Sequence, residues 1–106
     1  MRMAQIIGSV TLNRSHPSLP QVGLRLAVPL SLENLAGNAP PQAEPLVVCD
    51  PLGAGLGSRI LLSEGPEAAQ PFRPAIAPID AYNAGILDHI HLSLPHRPLE
   101  RGQALP

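Results

Sequence analysis

Apolar and polar residues alternate along much of this chain with a repeat of two, the period of a β-strand rather than a helix. From Ala4 to Leu12 the even positions are Ala4, Ile6, Gly8, Val10 and Leu12, with Gln5, Ser9 and Thr11 between them. A cleaner run follows: Val22, Leu24, Leu26, Val28, Leu30 and Leu32 are all apolar, and their neighbours are Gly23, Arg25, Ala27, Pro29, Ser31 and Glu33. Successive side chains of a strand point to opposite faces, so the even residues of this second strand are expected on a core and the odd ones outward. Leu46-Val47-Val48-Cys49 and Ile60-Leu61-Leu62 are short apolar runs between turn residues and read as buried strands. Ala84 to Leu92 alternates again through Ile86, Asp88, Ile90 and Leu92.

The connections are equally legible. Ser15-His16-Pro17-Ser18-Leu19-Pro20 is a polar link between the first two strands. Asn34 to Pro45, rich in Asn, Ala, Gly and Pro, reads as a longer exposed loop. Gly53-Ala54-Gly55-Leu56-Gly57 is a glycine loop. Between Glu64 and Phe72 one short helical turn is expected, started by Pro66, favoured by Glu67 at its positive end and stopped by Pro71. Pro29 cannot donate to a sheet ladder, so on the outer face of the second strand it marks an edge, a bulge or a bend. The sum is an all-β chain of about five strands with one short helix, arranged as a small, partly open barrel. Residues 1–92 form the expected domain, and residues 93–106, beginning near Pro95-His96-Arg97-Pro98, form a C-terminal tail.

Composition narrows the function. The chain has 106 residues, room for one domain, and 44% of them are hydrophobic. Only Tyr82 and Phe72 are aromatic, which disfavours modules that stack nucleic-acid bases on exposed rings. The formal net charge of -1 provides no strong field for nucleic acid or an anionic membrane. Cys49 is the one cysteine, so no disulfide can form within the chain and a reducing compartment is the simpler setting. The first residues do not read as a signal peptide, because Gln5 and Gly8-Ser9 break the apolar run early. A soluble cytoplasmic protein is expected. A small domain without disulfides and with almost no aromatic mass also gains from burial against copies of itself.

No constellation carries complete catalytic chemistry. The glycine loop follows a strand as phosphate loops do, but no Lys-Ser or Lys-Thr follows it, and Ser58 to Ser63 reads as a strand with no helix N-terminus to hold phosphate. It reads instead as a tight turn where the backbone comes close to something else, such as another subunit. His89 and His91 share one face of the last expected strand, yet two imidazoles are an incomplete zinc site and His16 or His96 would have to join them. Cys49 reads as a small core residue with no base to activate it. Asp50, Asp80 and Asp88 sit at strand ends, turns or flanks, where capping or ion pairing is the expected role. No cofactor or metal is expected.

Taken in order, these residues resemble the EutN/CcmL family of bacterial microcompartment vertex proteins. The likeness runs from about Arg2 to His91. It begins with Gly8-Ser9-Val10-Thr11 and His16-Pro17-Ser18-Leu19, and continues with Gly23-Leu24-Arg25-Leu26, where Arg25 replaces the family's lysine. Its most specific block is Cys49-Asp50-Pro51-Leu52-Gly53-Ala54-Gly55-Leu56-Gly57, and it closes with Pro78-Ile79-Asp80-Ala81 and Gly85-Ile86-Leu87-Asp88. The resemblance implies a five-stranded OB-like barrel, five copies of which form a homopentamer that caps a vertex of a shell built from hexameric and pseudohexameric proteins. It implies no enzyme activity, no nucleic acid and no membrane, and it assigns Gly53, Ala54, Gly55, Leu56, Gly57 and Ser58 a contact role toward shell tiles or neighbouring subunits. Ser58 stands where the family usually has Glu, and Ala69-Gln70 departs from its small-residue-then-Arg segment. The alternatives from other classes are an OB-like module binding single-stranded nucleic acid or a small ligand, and a small hydrolase using Cys49 or the histidine pair.

Overall fold

The computed structural model describes residues 1–93. Five strands appear in the order β1 (Arg2–Val10), β2 (Gly23–Pro29), β3 (Leu46–Asp50), β4 (Arg59–Glu64) and β5 (Ala81–Ile86), with a short helix α1 (Leu32–Leu35) before β3 and a 3-10 helix (Gly65–Phe72) before β5. They close into a barrel in the order β1-β2-β3-β5-β4. Every neighbouring pair is antiparallel except β3 and β5, which run parallel and meet at Cys49 and Tyr82 alone. The barrel is thus closed rather than partly open as expected, and its thinnest seam is this parallel pair. Arg2 closes the other side by pairing its guanidinium fork with Glu64 at 2.6 and 2.9 Å, linking the start of β1 to the end of β4. This hydrogen-bonded pairing holds the Glu64 carboxyl below its ordinary range.

The interior is built from Ala4 and Ile6 of β1, Ala27 of β2, Val48 of β3, Ile60 and Leu62 of β4, Ala81 of β5 and Ala54 of the glycine loop. A barrel of five strands is narrow, and larger residues on β1 and β4 are balanced by alanine elsewhere. This explains a reversal of the sequence expectation. On β2 it is Ala27, fully buried opposite Ile6, that enters the core, and Pro29 lies buried beside it opposite Ala4. The even residues Leu24, Leu26 and Val28 occupy the outer face. Pro29 therefore stands on the inner face at the strand's end, not on the outer face. On β1 the register shifts between Ile6 and Gly8, and this bulge at Ile7 turns Gly8 and Val10 outward to face Leu26 and Leu24.

Other boundaries moved for identifiable reasons. Leu32 begins α1 instead of ending β2, because Ser31 and Asn34 form a reciprocal cap: Asn34 N–H donates to Ser31 Oγ at 3.2 Å, and Ser31 N–H donates to Asn34 Oδ1 at 2.8 Å. The Asn34 amide then donates to the carbonyls of Ala39 and Pro40, so the long loop is folded back onto this helix. β5 starts three residues earlier than expected, at Ala81, and stops at Ile86 rather than Leu92. Its partner β4 begins at Arg59, which takes its last bond from Leu87 N–H, so alternation beyond that point has no ladder to join. The 3-10 helix has Pro66 in its first turn as expected, but runs through Pro71 to Phe72 instead of stopping at that proline. Of the tail expected at 93–106, all but Ser93 lies outside the described residues.

Because Ala27 is enclosed, Ala27→Leu should overpack the barrel and cost about 1–3 kcal/mol in chemical denaturation. A change of a few tenths would place Ala27 on the outer face instead.

Candidate functional site: the glycine loop

β3 ends in Asp50, whose side chain is completely buried. Its carboxylate is surrounded by donors. Oδ1 accepts from the N–H groups of Leu52 and Gly53 at 3.2 and 3.1 Å and from Asn83 Nδ2 at 2.9 Å, while Oδ2 accepts from Ala54 N–H at 2.7 Å. Arg25, projecting inward from β2, places Nε 3.4 Å from Oδ2 and donates to the Ala54 carbonyl at 3.1 Å. A buried carboxylate is tolerated when it is paired and its lone pairs are filled, and both conditions hold here. The consequence is structural. Successive amides wrap one carboxylate, so the chain from Pro51 to Ala54 must turn tightly. Gly53 takes φ +73°, a conformation that side chains resist, and the Ala54 methyl is carried into the barrel core.

The outer half of the loop is a second turn. Ser58 N–H donates to the Gly55 carbonyl at 3.0 Å, and Gly57 has φ +85°. Gly57 N–H donates to Ile6 O, and Ile6 N–H donates to Ser58 O, both at 2.8 Å, so the loop is zipped to β1 beside its bulge. Between bulge and loop runs a shallow groove lined by Ile7, Gly8, Ser9, Arg25, Gly55 and Leu56. Leu56 at the tip is 79% exposed. A methyl group added at Gly53 or Gly57 would meet nothing within 4 Å, and one at Gly55 would meet only Ser58 Oγ at 3.9 Å. Gly53 and Gly57 are thus required by backbone conformation. Gly55 is required by neither conformation nor crowding within the subunit. β4 follows the loop as a strand, so no helix N-terminus is directed at it, as the sequence implied.

The remaining candidates are dispersed. His89 and His91 are exposed and lie beyond the end of β5, off any strand face; His96 is outside the described residues. Among the described residues no group of three or more His, Cys, Asp or Glu side chains is arranged to hold a metal ion. Cys49 is buried as expected, but on the outer face of β3, outside the barrel-core cluster. Burial first, and the charge of Asp50 second, push its thiol pKa up, which keeps it protonated and unreactive near neutral pH. Asp80 and Asp88 are exposed. Tyr82 lies on β5, which the sequence reading had begun after it, and its ring meets Phe72 edge-to-face at 5.7 Å.

Asp50 has the capping and pairing role expected of it. Arg25 and Asn83 were not foreseen as partners. The available signals were a lone charge in an otherwise apolar strand and a lone amide among small residues near the last strand.

Asp50→Asn leaves the volume unchanged but replaces one acceptor oxygen by a donor facing amides and Arg25. We expect a loss of about 3–5 kcal/mol in denaturation, as for one partner removed from a buried pair, with faster amide exchange at Gly53 and Ala54. Cys49 in the native protein should resist iodoacetamide at pH 8 and react once the chain is unfolded. Rapid labelling of the native state would contradict a buried, protonated thiol.

Comparison with known proteins gives this arrangement a context. The sequence model of the family described as ethanolamine utilisation protein EutN/carboxysome matches residues 1–88. The carboxysome shell vertex protein CcmL of Gloeobacter violaceus is 35% identical over 99 residues, covering 93% of this chain and 92% of that protein. The bacterial microcompartment shell vertex protein EutN of Salmonella typhimurium is 29% identical over 90 residues, or 85% of this chain and 86% of its own. Among solved structures, the pentameric microcompartment shell protein GrpN of Rhodospirillum rubrum superposes with a TM-score of 0.72 at 30% identity, over 88% of this chain and all of that one. With the barrel fold and nearly the whole length in common, this chain belongs to the EutN/CcmL family of microcompartment shell vertex proteins.

Proposed function

We propose that the protein is a structural subunit of a bacterial microcompartment shell, that five copies of residues 1–92 form a pentamer closing a shell vertex, and that the loop from Gly53 to Ser58 is its contact with hexameric and pseudohexameric tiles. The observation that carries the contact assignment is the asymmetry of the loop. It is held rigidly from behind by Asp50, Arg25 and Asn83, while its outer side is open and presents Gly55 and Leu56. A loop fixed in advance loses little conformational entropy on docking. Backbone without side chains also lets a partner approach closely. Ser58 in place of the family's Glu gives this contact a neutral hydroxyl where a carboxylate would otherwise stand.

The role is structural rather than enzymatic. Cys49 is buried and its thiol is held protonated, which fits a packing residue and not a nucleophile. Neither aromatic ring is free for stacking on a base, because Phe72 and Tyr82 pack on each other and both are half-buried. We therefore assign the protein no nucleic-acid partner. No helix among the described residues is long and apolar enough to cross a membrane, and the shell of a cytoplasmic microcompartment is the proposed location.

The test is co-expression with hexameric tile proteins, followed by electron microscopy of the particles. The native chain should be incorporated and give closed polyhedra. Gly55→Leu should fold and remain pentameric by light scattering, since the only neighbour within 4 Å of its Cβ is Ser58 Oγ at 3.9 Å, but closed shells should be lost. Normal closure with Gly55→Leu would remove the loop from the tile contact. Failure of the native chain to enter shells would remove the vertex role itself.

A further inference from the structure

The net charge of -1 conceals an uneven distribution. Every Asp and Glu lies at Glu33 or beyond it, so β1, β2 and the link between them carry Arg2, Arg14, Arg25 and His16 and no carboxylate. Arg2 is paired with Glu64. Arg25 stands near the opposite end of β1. The β1 bulge leaves Ser9 on the inner face, directly across the ladder from Arg25, and Gly23 continues that face to the rim of the barrel. A Cβ at Gly23 would come within 3.8 Å of Arg25 Nη1, so the glycine leaves the guanidinium room at this rim.

The Arg25 fork is only half used. Nε serves the Asp50 carboxylate and the Ala54 carbonyl. Nη1 makes one long contact of 3.5 Å to the Leu24 carbonyl, and Nη2 has no acceptor among the described residues. The side chain is 29% exposed and borders a hollow of about 460 Å³. Ser9, Thr11, Ser15 and Gln21 line the same hollow, and their side chains have no hydrogen-bond partner among the described residues. No Asp or Glu lines it. Asp50 lies behind Arg25, completely buried and with its oxygens filled by other donors. Asp80 borders a separate hollow that shares Leu19 and Leu24 with this one.

We infer that this hollow at the barrel mouth binds a small oxyanion of the phosphate class, free or carried on a small organic group. The unused edge of a guanidinium presents N–H groups in the fork geometry that matches two oxygens of such an ion. Hydroxyl and amide side chains can turn to donate to the remaining oxygens. Barrel mouths with a few convergent polar groups are a common setting for small-molecule sites. Exposed Arg14, next to Ser15 in the chain, adds positive charge on the same link. Asp50 offsets part of the Arg25 charge, so the site suits an abundant ligand in exchange with solvent rather than a tightly held group. The site is complete in one subunit and does not depend on the vertex role.

Amide and arginine Nε–H NMR of the native protein at pH 7 tests this, with sodium phosphate and glycerol phosphate titrated separately and sodium chloride at matched ionic strength as the blank. Saturable shifts are expected at Arg25 Nε–H and at the amides of Ser9 and Gly23 with at least one of the phosphates and not with chloride, and the tighter of the two identifies the form the hollow takes. Ser9→Asp places a carboxylate beside the free edge of Arg25 at an exposed position. It should keep the native circular-dichroism spectrum and oligomeric state and weaken phosphate binding at least tenfold. Thr11→Asp should act in the same direction and serves if Ser9→Asp does not fold. Shifts that match the chloride blank in the native chain, or native-like phosphate binding by a folded aspartate variant, would overturn the site.

Discussion

The Asp50 carboxylate is the group on which one end of this molecule depends. Its oxygens collect amides from the loop that follows it, the amide of Asn83 from β5 and the guanidinium of Arg25 from β2. Removing any one partner leaves the others buried with unmet demands, so the group acts as a unit. Its position ties together β2, β3 and β5 at the part of the barrel where strand pairing is thinnest, the parallel seam between β3 and β5. Side-chain bonds there supplement a backbone ladder that meets at one residue pair. The same bonds set the path of the glycine loop. The loop's shape is therefore a property of the barrel and not of its own flexible residues.

A second constraint is the narrow interior. Small side chains on β2, β5 and the loop leave room for Ile6, Ile60 and Leu62, and a modest core results. A subunit of this size buries a limited fraction of its apolar surface, and its larger aliphatic residues on β2 lie outside the barrel.

This division explains what the sequence could and could not convey. Strand positions were legible because alternation is local: β3, β4 and the proline-started 3-10 helix appear where the pattern places them, and β2 begins within a residue of it but ends at Pro29, short of Leu32. Alternation defines two faces but does not say which lies inside. Assigning the more apolar face of β2 to the core fails because the five-stranded barrel is narrow, and the small Ala27 enters it where a leucine would not fit. The end of β5 was not legible, since it depends on where β4 begins, a non-local fact. The glycine loop stood out in the sequence, and so did Asp50 as a turn-forming residue. Arg25 reaches Asp50 through the pairing of β2 with β3, and Asn83 through that of β5 with β3, non-local facts that join positions 25 and 33 residues apart. The helix α1 did leave a local sign, the Ser31–Asn34 cap, weakened by Asn standing where Glu or Gln is usual.

The central claim is that the loop fixed by Asp50 is the surface this barrel offers to tiles at a shell vertex. The most direct measurement is an electron cryo-microscopy reconstruction of closed shells containing this protein. The account predicts five-fold density at the vertices, with the turn from Gly53 to Ser58 at the boundary with the tiles. Density in which the glycine loop meets solvent, or in which it is enclosed between copies, would contradict it.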